Sequence, residues 1–392
     1  MREGWEYKKL GEVCNILNGY AFKSSKYTNS GTRIIRITNV QKGYVIDNDP
    51  KYYSDDDIKN LTQYSLREGD LVMSLTGNVG RVGMLQKSML PAALNQRVAC
   101  IRTKSDEISL NYLFHLFNSD VFERAAIRSA RGIAQLNMST EWLKEHTIPL
   151  PPKSTQLAIV SELDKIKELI RLKKEQLKDL DNLAQSIFYE MFGDPVENDK
   201  GWEVMKLNEI VSDDCSISYG IVQPGDGVEN GVPVVRPVDM TETFISRQGL
   251  KNTTKEISDS YKRTILKGDE ILMCVRGTTG LVAMASPELK GCNVTRGITP
   301  IECGPSCNKW FIYYQISNPS IQQHIAEYTR GITLKQINMK DVREIPLCLP
   351  PLPLQHLFAQ CIEQIEHQKA EVQKAIIDLE TLLAARMQYW FE

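Results

Sequence analysis

The sequence predicts an α+β protein with two tandem domains and two long coiled-coil helices that pair with each other. Its 392 residues carry one order of landmarks twice, which indicates a duplicated domain. Each copy ends in a stretch of about forty residues without Gly or Pro, in which apolar residues recur three and four positions apart. Short runs with strand-like alternation precede each stretch.

The duplication is visible in short motifs that return in the same order. The clearest pairs are Gly4-Trp5-Glu6 with Gly201-Trp202-Glu203, Gly69-Asp70 with Gly268-Asp269, and Gln135-Leu136-Asn137-Met138 with Gln336-Ile337-Asn338-Met339. A period of roughly two hundred residues indicates tandem domains and excludes a solenoid of short repeats. Between the landmarks, residues 18–65 and 217–265 share almost nothing. Two related domains with different variable surfaces are therefore expected.

The long helices are predicted from a repeated apolar pattern after a Leu-Pro-Pro sequence. The first series is Leu163, Ile166, Ile170, Lys173, Leu177, Leu180, Ala184, Ile187 and Met191; the second is Ile362, Ile365, Lys369, Val372, Ile376, Leu379, Leu383, Arg386 and Trp390. A helix over residues 157–191 would be roughly 50 Å long and needs a partner helix along its apolar side. Two unrelated surface helices are the alternative, which the matching preludes disfavour. The polar Lys173 and Lys369 either fix the register of the pair or extend to solvent.

Each domain is predicted to contain short strands followed by one helix. In the first domain the strands cover residues 32–38, 70–75, 82–85 and 98–102, and the helix covers residues 109–128. In the second domain the strands cover residues 232–236, 270–275, 281–285 and 298–302, and the helix covers residues 309–328. The resulting ranges are residues 1–150 and 194–349 for the domains and 151–193 and 350–392 for the helices.

The composition is that of an ordinary globular protein. Hydrophobic residues make up 42% and charged residues 24%, and the net charge is -2. If the chain binds DNA, it must do so through local basic patches, because a cationic surface over the whole molecule is excluded. No apolar run reaches the length of a membrane span, and the first residues do not resemble a signal peptide. Nine scattered cysteines predict reduced thiols and a cytoplasmic protein.

The order of these motifs resembles the specificity subunit of type I restriction–modification enzymes. The resemblance rests on the Gly-Trp starts, on the two Leu-Pro-Pro preludes with Gln156 and Gln355, and on the segment Ser186-Ile187-Phe188-Tyr189-Glu190-Met191-Phe192-Gly193. It covers essentially the whole chain. It implies two target-recognition domains, each reading half of a bipartite site in double-stranded DNA. It also implies that the two helices pair antiparallel, set the gap between half-sites and seat two methyltransferase (modification) subunits.

The resemblance further implies that the chemistry belongs to other chains. S-adenosylmethionine, ATP and Mg would serve the modification subunits and the restriction/translocase subunits, and this chain would need no cofactor. The residues agree, because the two Pro-Pro pairs stand in Leu-Pro-Pro-Lys and Leu-Pro-Pro-Leu, and neither is a methyltransferase site. A Walker phosphate loop is also missing. The alternatives are a scaffold or decoy subunit without its own sequence readout, and an unrecognised enzyme.

Two Gly-containing loops are candidate DNA contacts, because each follows a strand and would offer backbone N–H groups to phosphate. They comprise Thr76, Gly77, Asn78 and Gly80 in the first domain, and Arg276, Gly277, Thr278, Thr279 and Gly280 in the second. A plain hairpin turn is the alternative for each loop.

Arginines and amides near the strands are candidate base readers, since Arg pairs with guanine and Asn or Gln with adenine. These residues are Arg33, Arg36, Asn95, Gln96 and Arg97 in the first domain, and Arg236 and Arg296 in the second. A structural ion pair is the alternative for each arginine.

A polar loop after the helix of each domain is the third candidate. Its residues are Arg131, Gly132, Gln135 and Asn137 in the first domain, and Arg330, Gly331, Thr333, Lys335, Gln336 and Asn338 in the second. The combination of glycine, cations and amides suits DNA contact, and a capped connection is the alternative.

Other reactive residues predict no further site. Cys303 and Cys307, with Cys274 and Cys292 nearby, match no common zinc spacing, so structural thiols are expected. The five histidines show no paired carboxylate in the sequence and are expected to be packing or surface residues.

Overall fold

A computed structural model of the chain describes residues 2–130, 136–331 and 335–392. The strands are β1 (Glu6–Lys9), β2 (Cys14–Asn18), β3 (Thr32–Ile35), β4 (Val40–Gln41), β5 (Tyr44–Val45), β6 (Tyr52–Tyr53), β7 (Leu71–Ser74), β8 (Val82–Met84), β9 (Ala92–Leu94), β10 (Val98–Thr103), β11 (Thr147–Leu150), β12 (Glu203–Lys206), β13 (Val232–Val235), β14 (Lys251–Thr253), β15 (Ile271–Cys274), β16 (Val282–Met284), β17 (Asn293–Val294), β18 (Ile298–Ile301) and β19 (Pro346–Leu349). The α-helices are α1 (Leu10–Val13), α2 (Asp55–Ile58), α3 (Leu110–Phe117), α4 (Asp120–Ser129), α5 (Thr140–Glu145), α6 (Lys153–Phe192), α7 (Leu207–Ile210), α8 (Lys255–Ser260), α9 (Lys309–Ser317), α10 (Pro319–Glu327), α11 (Met339–Arg343) and α12 (Leu352–Phe391).

The chain divides into two compact units. One unit runs to Lys174 and includes Lys374–Glu392, and the other is Glu175–Gln373. Each unit therefore contains one globular domain, part of α6 and part of α12. None of the described helices has a stretch apolar and long enough to span a bilayer.

The domain of the first unit is built on two small sheets. One has the strand order β2-β10-β7-β8, and the other has the order β6-β3-β9, in which β3 and β9 run parallel. The first and last strands of the domain, β1 and β11, pair antiparallel and bring the start of α6 back to the beginning of the chain. All four residues of β7 and the first four of β10 are buried, so both faces of the sheet are covered at these strands. This burial explains their continuous apolar runs.

The domain of the second unit repeats this plan with one strand fewer in its main sheet. Strands β16-β15-β18 form the counterpart of β8-β7-β10, and β14-β13-β17 form the second sheet with a parallel β13–β17 pair. Strands β12 and β19 again join the start and end of the domain. The predicted strands in both domains are confirmed, with ends that differ by up to three residues.

The prediction of a single helix after the strands is wrong in both domains, because each predicted helix is in fact two separate helices. In the first domain, the Ser119 hydroxyl accepts a hydrogen bond from Phe122 N–H at 3.3 Å and begins α4. In the second, Asn318 caps α10 through Ser320 N–H at 3.0 Å, and Pro319 follows at the first helical position. Proline lacks the N–H that a continuous helix needs, and capping residues begin a new one.

The two long helices each span forty residues, and their segments run antiparallel within each unit. In the first unit, Glu162 pairs with Arg386 at 3.0 Å and Lys174 pairs with Glu380 at 2.8 Å. The contact positions rise along α6 as they fall along α12. This order confirms antiparallel pairing in the first unit.

The second unit gives the same result through different contacts. Asp181 pairs with Lys369 at 2.8 Å, and further along α6 Phe188 packs edge-on against Phe358. Lys369 also pairs with Glu366 at 2.8 Å, so this seam lysine is bound in ion pairs and favours the register-fixing interpretation. The residues of both predicted seams are buried or half-buried, as expected.

A buried glutamine joins the start of each long helix to its domain. The Gln156 carboxamide accepts from Ser109 N–H at 2.8 Å and donates to the carbonyls of Glu107 and Pro151, both at 2.9 Å. Gln355 repeats the arrangement with Asn308 N–H at 2.8 Å, Pro350 O at 2.8 Å and Ser306 O at 3.3 Å. Both glutamines are fully buried, and each satisfies one buried and two part-buried backbone groups.

Candidate functional site

Three loops meet at the end of β7 in the first unit. Leu75 N–H donates to Arg97 O at 2.9 Å, Met138 N–H donates to Leu75 O at 2.8 Å, and Gly77 N–H donates to Leu136 O at 2.9 Å. These bonds join the loop after β7, the turn between β9 and β10, and the segment before α5. Candidate residues far apart in sequence are thereby brought to one place.

A fourth segment joins the same place through Tyr20. Tyr20 N–H donates to Leu94 O at 2.9 Å, and Gln96 N–H donates to Tyr20 O at 2.8 Å. Asn95 N–H donates to Ile35 O at 3.2 Å, which adds the end of β3. We call residues 75–80, 95–97 and 136–138, with Tyr20, the loop cluster of the first domain.

The second unit builds its loop cluster from equivalent bonds. Val275 N–H donates to Gly297 O at 2.8 Å, Ile337 N–H donates to Val275 O at 3.0 Å, and Gly277 N–H donates to Lys335 O at 2.8 Å. The cluster comprises residues 275–280, 295–297, 330–331 and 335–338. Its frame repeats that of the first domain bond for bond at these positions.

The remaining ties of the second loop cluster are equivalent as well. Thr295 N–H donates to Val235 O at 2.9 Å, Ile221 N–H donates to Val294 O at 2.8 Å, and Arg296 N–H donates to Ile221 O at 2.8 Å. Ile221 therefore takes the place of Tyr20. The exposed Tyr20 ring has no aromatic counterpart at that position.

These hydrogen bonds also correct the alignment of the third loop. The β-bridges join Thr76 to Asn137 and Arg276 to Gln336. Asn137 is therefore equivalent to Gln336, two residues from the Asn338 that the motif comparison paired with it. Three identical residues out of four placed the motifs two residues out of register, and only the backbone bonds reveal the true register.

The glycines of the two loops after β7 and β15 do not offer their N–H groups to a ligand. Gly77 and Gly277 donate as described above, Gly80 N–H donates to Ser74 O at 2.9 Å, and Gly280 N–H donates to Cys274 O at 2.8 Å. The expectation of exposed glycine amides is therefore wrong.

Gly80 and Gly280 are also buried against the helices of their domains. A Cβ at Gly80 would lie 2.8 Å from the Ala126 methyl group, and one at Gly280 would lie 2.5 Å from the Gln322 amide oxygen. Both glycines permit close packing against these helices, and their contact with DNA stays a prediction. Asn78 and Thr278 remain exposed at the loop tips, and Thr279 is half-buried.

Two candidate arginines of the first domain are held by carboxylates. Arg33 pairs with Asp47 at 3.0 Å and also donates to the Met89 carbonyl. Arg36 pairs with Asp49 at 3.2 Å. Both side chains are less than one-fifth exposed, so the structural ion-pair alternative is favoured for them.

Arg236 of the second domain is held in the same way. Its guanidinium binds both oxygens of Asp239, at 3.0 and 2.7 Å, and the resulting fork raises the arginine pKa. The bidentate carboxylate pair occupies the Nε edge of the guanidinium and fixes its orientation. Only the edge of the two terminal nitrogens is left for DNA, so the structural ion-pair alternative is favoured for Arg236 as well.

Five other cations of the loop clusters have no carboxylate partner among the residues that the structure describes. Arg97, Arg330 and Lys335 are exposed, and Arg276 and Arg296 are half-buried. Unpaired cations keep their hydrogen-bond donors for a ligand. The structure thus separates the candidate arginines into a paired group and an unpaired group.

The third loop is only partly described. Arg131, Gly132, Gln135 and Thr333 lie outside the described residues. Arg330 and Gln336 close the base of the loop in the second domain through two backbone hydrogen bonds of 2.8 Å. Gly331 and Asn338 are exposed beside them, and Asn137 accepts a hydrogen bond from the Thr76 hydroxyl at 2.8 Å.

Sequence reasoning missed Tyr20. Its side chain is 38% exposed, and its ring lies 5.1 Å from that of Phe22 and 5.4 Å from that of Tyr64. The signal in the sequence is Gly19, because a Cβ there would lie 2.1 Å from the Asn95 carbonyl oxygen. Because Gly19 has no Cβ, the chain at this point can lie directly against the Asn95 backbone, which brings the neighbouring Tyr20 into the loop cluster.

The thiols and histidines form no second site. No group of metal-binding side chains is found within the described ranges, and all nine cysteines are free. Burial raises the pKa of the Cys274 thiol to about 11 and also raises that of Cys303, so both stay protonated. His115 does have a carboxylate partner, Asp164, at 2.8 Å, which corrects the expectation for this histidine.

The sequence of both domains matches a known family. The family model of the type I restriction modification DNA specificity domain matches residues 2–182 and again residues 199–381. The chain belongs to this family. Both of its domains are specificity domains, which confirms the predicted tandem arrangement.

One relative aligns with nearly the whole of this chain. The chain is 24% identical over 404 residues to the specificity subunit of the type I restriction enzyme EcoBI from Escherichia coli, covering 96% of this chain and 82% of the relative. A chain from a solved type I R-M system has a TM-score of 0.61 at 19% identity, with 100% and 98% of the two chains covered. The type I S subunit from M. genitalium has a TM-score of 0.56 at 14% identity, with 99% and 96% covered. These two structures share the fold.

Proposed function

We propose that the chain is the DNA sequence-recognition subunit of a type I restriction–modification complex, and that each domain reads one half of a split target. The loop clusters carry this proposal. The same backbone bonds position them in both domains, while the side chains on them differ. A fixed frame with exchangeable polar side chains suits base readout, because sequence is read through side-chain contacts to base edges.

The unpaired cations divide into two roles. Arg97, Arg330 and Lys335 are exposed and would neutralise phosphates, which positions a protein on the duplex without selecting sequence. The half-buried Arg276 and Arg296 would lie closer to base edges. The net charge of -2 means that such local clusters must supply the attraction. Arg131, Gly132, Gln135 and Thr333 belong to this proposal through their sequence alone.

The partners and chemistry follow from membership in the family. We infer two modification subunits on the helices and restriction/translocase subunits in the full complex. S-adenosylmethionine, ATP and Mg would act in those subunits, and this chain would contribute recognition without catalysis. A cytoplasmic location follows from that role and from the nine free cysteines.

A binding titration on a complex with the modification subunits tests the proposal. The methylated motif of the host genome supplies the target duplex, and a scrambled duplex supplies the control. We expect binding to the target at least about a thousandfold tighter than to the scrambled duplex at physiological salt. Equal affinity for both would contradict sequence readout and support the scaffold or decoy alternative.

A further inference from the structure

The strongest asymmetry between the two loop clusters lies at one pair of equivalent positions. In the first domain the Thr76 hydroxyl donates to Asn137 at 2.8 Å. In the second domain Arg276 and Gln336 occupy these positions and share a β-bridge. Directly opposed residues of an antiparallel bridge present their side chains on the same face. A guanidinium and a carboxamide thus stand side by side.

The Arg276 guanidinium lacks a partner within the described part of the chain. Its Nε is buried without a hydrogen-bond partner, and it forms no ion pair with a described carboxylate. The two terminal nitrogens of this half-buried side chain have no hydrogen-bond partner among the described residues either, so their donors are available to an external acceptor. Because Nε is buried, an acceptor can reach only the two terminal nitrogens.

The backbone beneath this arginine is fixed. The bridge to Gln336 holds one side, and the Cys274 thiol donates to the Arg276 carbonyl at 3.2 Å. Gly277 follows and donates its N–H to Lys335 O at 2.8 Å. A half-buried guanidinium on a fixed backbone suits recognition that depends on direction. Phosphate contact needs no such placement, and the exposed Arg330 and Lys335 can provide it equally well.

We propose that Arg276 reads a guanine of the second half-site through its two terminal nitrogens. Guanine presents O6 and N7 as adjacent acceptors in the major groove, and an arginine fork matches both. The inference rests on the proposed DNA readout and adds one base and one residue to it. The first domain, with Thr76 at this position, makes no equivalent arginine contact.

The test measures dissociation constants for the target and for duplexes with one base pair changed in the second half-site. The protein is the complex with its modification subunits, containing either the wild-type chain, Arg276→Ala or Arg276→Lys. We expect the wild type to lose roughly 5- to 150-fold at one guanine, and Arg276→Ala to bind all four bases there equally. Selectivity at every other position should be unchanged. Arg276→Lys keeps the charge without the fork and should show the same local loss of selectivity.

A guanine analogue and a matched arginine control sharpen the result. Replacing that guanine with 7-deazaguanine removes N7 and should weaken the wild type without affecting Arg276→Ala. Arg247 is an exposed arginine bonded to the Glu288 carbonyl at 2.9 Å, and Arg247→Ala should behave as the wild type. Thermal unfolding of each variant establishes that the substitution leaves the fold intact.

Four outcomes separate the possibilities. Loss of selectivity at one guanine supports the inference. An equal loss for target and scrambled DNA in Arg276→Ala would assign the residue to phosphate and overturn the inference, and so would unchanged selectivity. A wild-type complex without preference for its motif would contradict the proposed function itself, which the wild-type arm alone decides.

Discussion

The two domains share a frame and differ in what the frame presents. Hydrogen bonds at the ends of β7 and β15 are equivalent, and a buried glutamine anchors each long helix in the same way. On this frame, Thr76 donates its hydroxyl to Asn137, whereas the Arg276 guanidinium has no described partner beside Gln336. Position is therefore set by backbone bonds, which do not depend on the side chains of Thr76 and Arg276. Specificity is left to side chains that the fold does not require.

The main sheets of the two domains differ at a place away from the loop clusters. Strand β10 pairs with β7 on one side and β2 on the other, but β18 pairs only with β15 along its ladder. Pro300 stands opposite Leu272 at the place of Cys100. Proline has no N–H and is confined to edge strands, so β18 forms the edge of its sheet. The loop cluster lies at the other end of β15 and is unaffected.

The largest effect is expected at the two glutamine joints. Gln156→Ala and Gln355→Ala each remove the side-chain partner of one buried and two part-buried backbone groups, and each should lower the free energy of unfolding by about 3 kcal/mol. Urea unfolding with tryptophan fluorescence measures the change. Exposed Gln86 is the control, and its alanine variant should change stability by less than about 0.5 kcal/mol. A large effect at only one joint would break the equivalence of the units.

A buried histidine should make the stability of the first unit depend on pH. His115 is fully buried, and burial first, then the nearby Lys167, lowers its pKa to about 4 despite the contact with Asp164. Its folded pKa lies below the unfolded value of about 6.5, so the unfolded state binds more protons between those values. Stability should therefore fall by about 3 kcal/mol as the pH drops from 6.5 to 4.

The control for this histidine is built into the chain. The equivalent position of the second domain is Tyr314, which does not titrate in this range because burial raises its pKa. Denaturant unfolding of the wild type and His115→Phe at several pH values measures the difference in slope. Equal slopes for the two proteins would show that His115 does not cause the dependence.

The smallest effect is expected at the exposed cations. Arg330→Ala should weaken binding to target and scrambled DNA alike and reduce the salt slope of the association constant by about 0.9, because it removes one phosphate contact. Arg247→Ala is the matched control, and its slope should equal that of the wild type. Binding titrations over a series of salt concentrations supply both values. An unaltered slope for Arg330→Ala would remove this residue from the interface.

More of the fold than of the candidate site could be predicted from the sequence. Strand positions and both long helices follow from periodicity, which depends only on local pattern. Pro319 was a visible sign of the broken helix, and its capping Asn318 preceded it. The ion pair between Arg236 and Asp239 could also have been predicted from the sequence, because the two residues lie three positions apart.

Other features of the site depend on contacts that no local pattern reveals. Asp47 and Asp49 come from a segment without a repeat partner, so the pairing of Arg33 and Arg36 could not be anticipated. The glycine amides are satisfied by carbonyls up to fifty-nine residues away, which only the assembled sheet brings close. The unpaired state of Arg276 is likewise a property of the folded domain.

The central claim is that each domain reads its own half-site. Replacing residues 1–150 with the corresponding residues of a related specificity subunit exchanges the first loop cluster and leaves the second intact. Sequencing of methylated bases in cells that express the exchanged chain with its modification subunits reads out the new target. The account predicts a motif in which one half has changed to that of the donor and the other half is retained. A motif altered in both halves would contradict it.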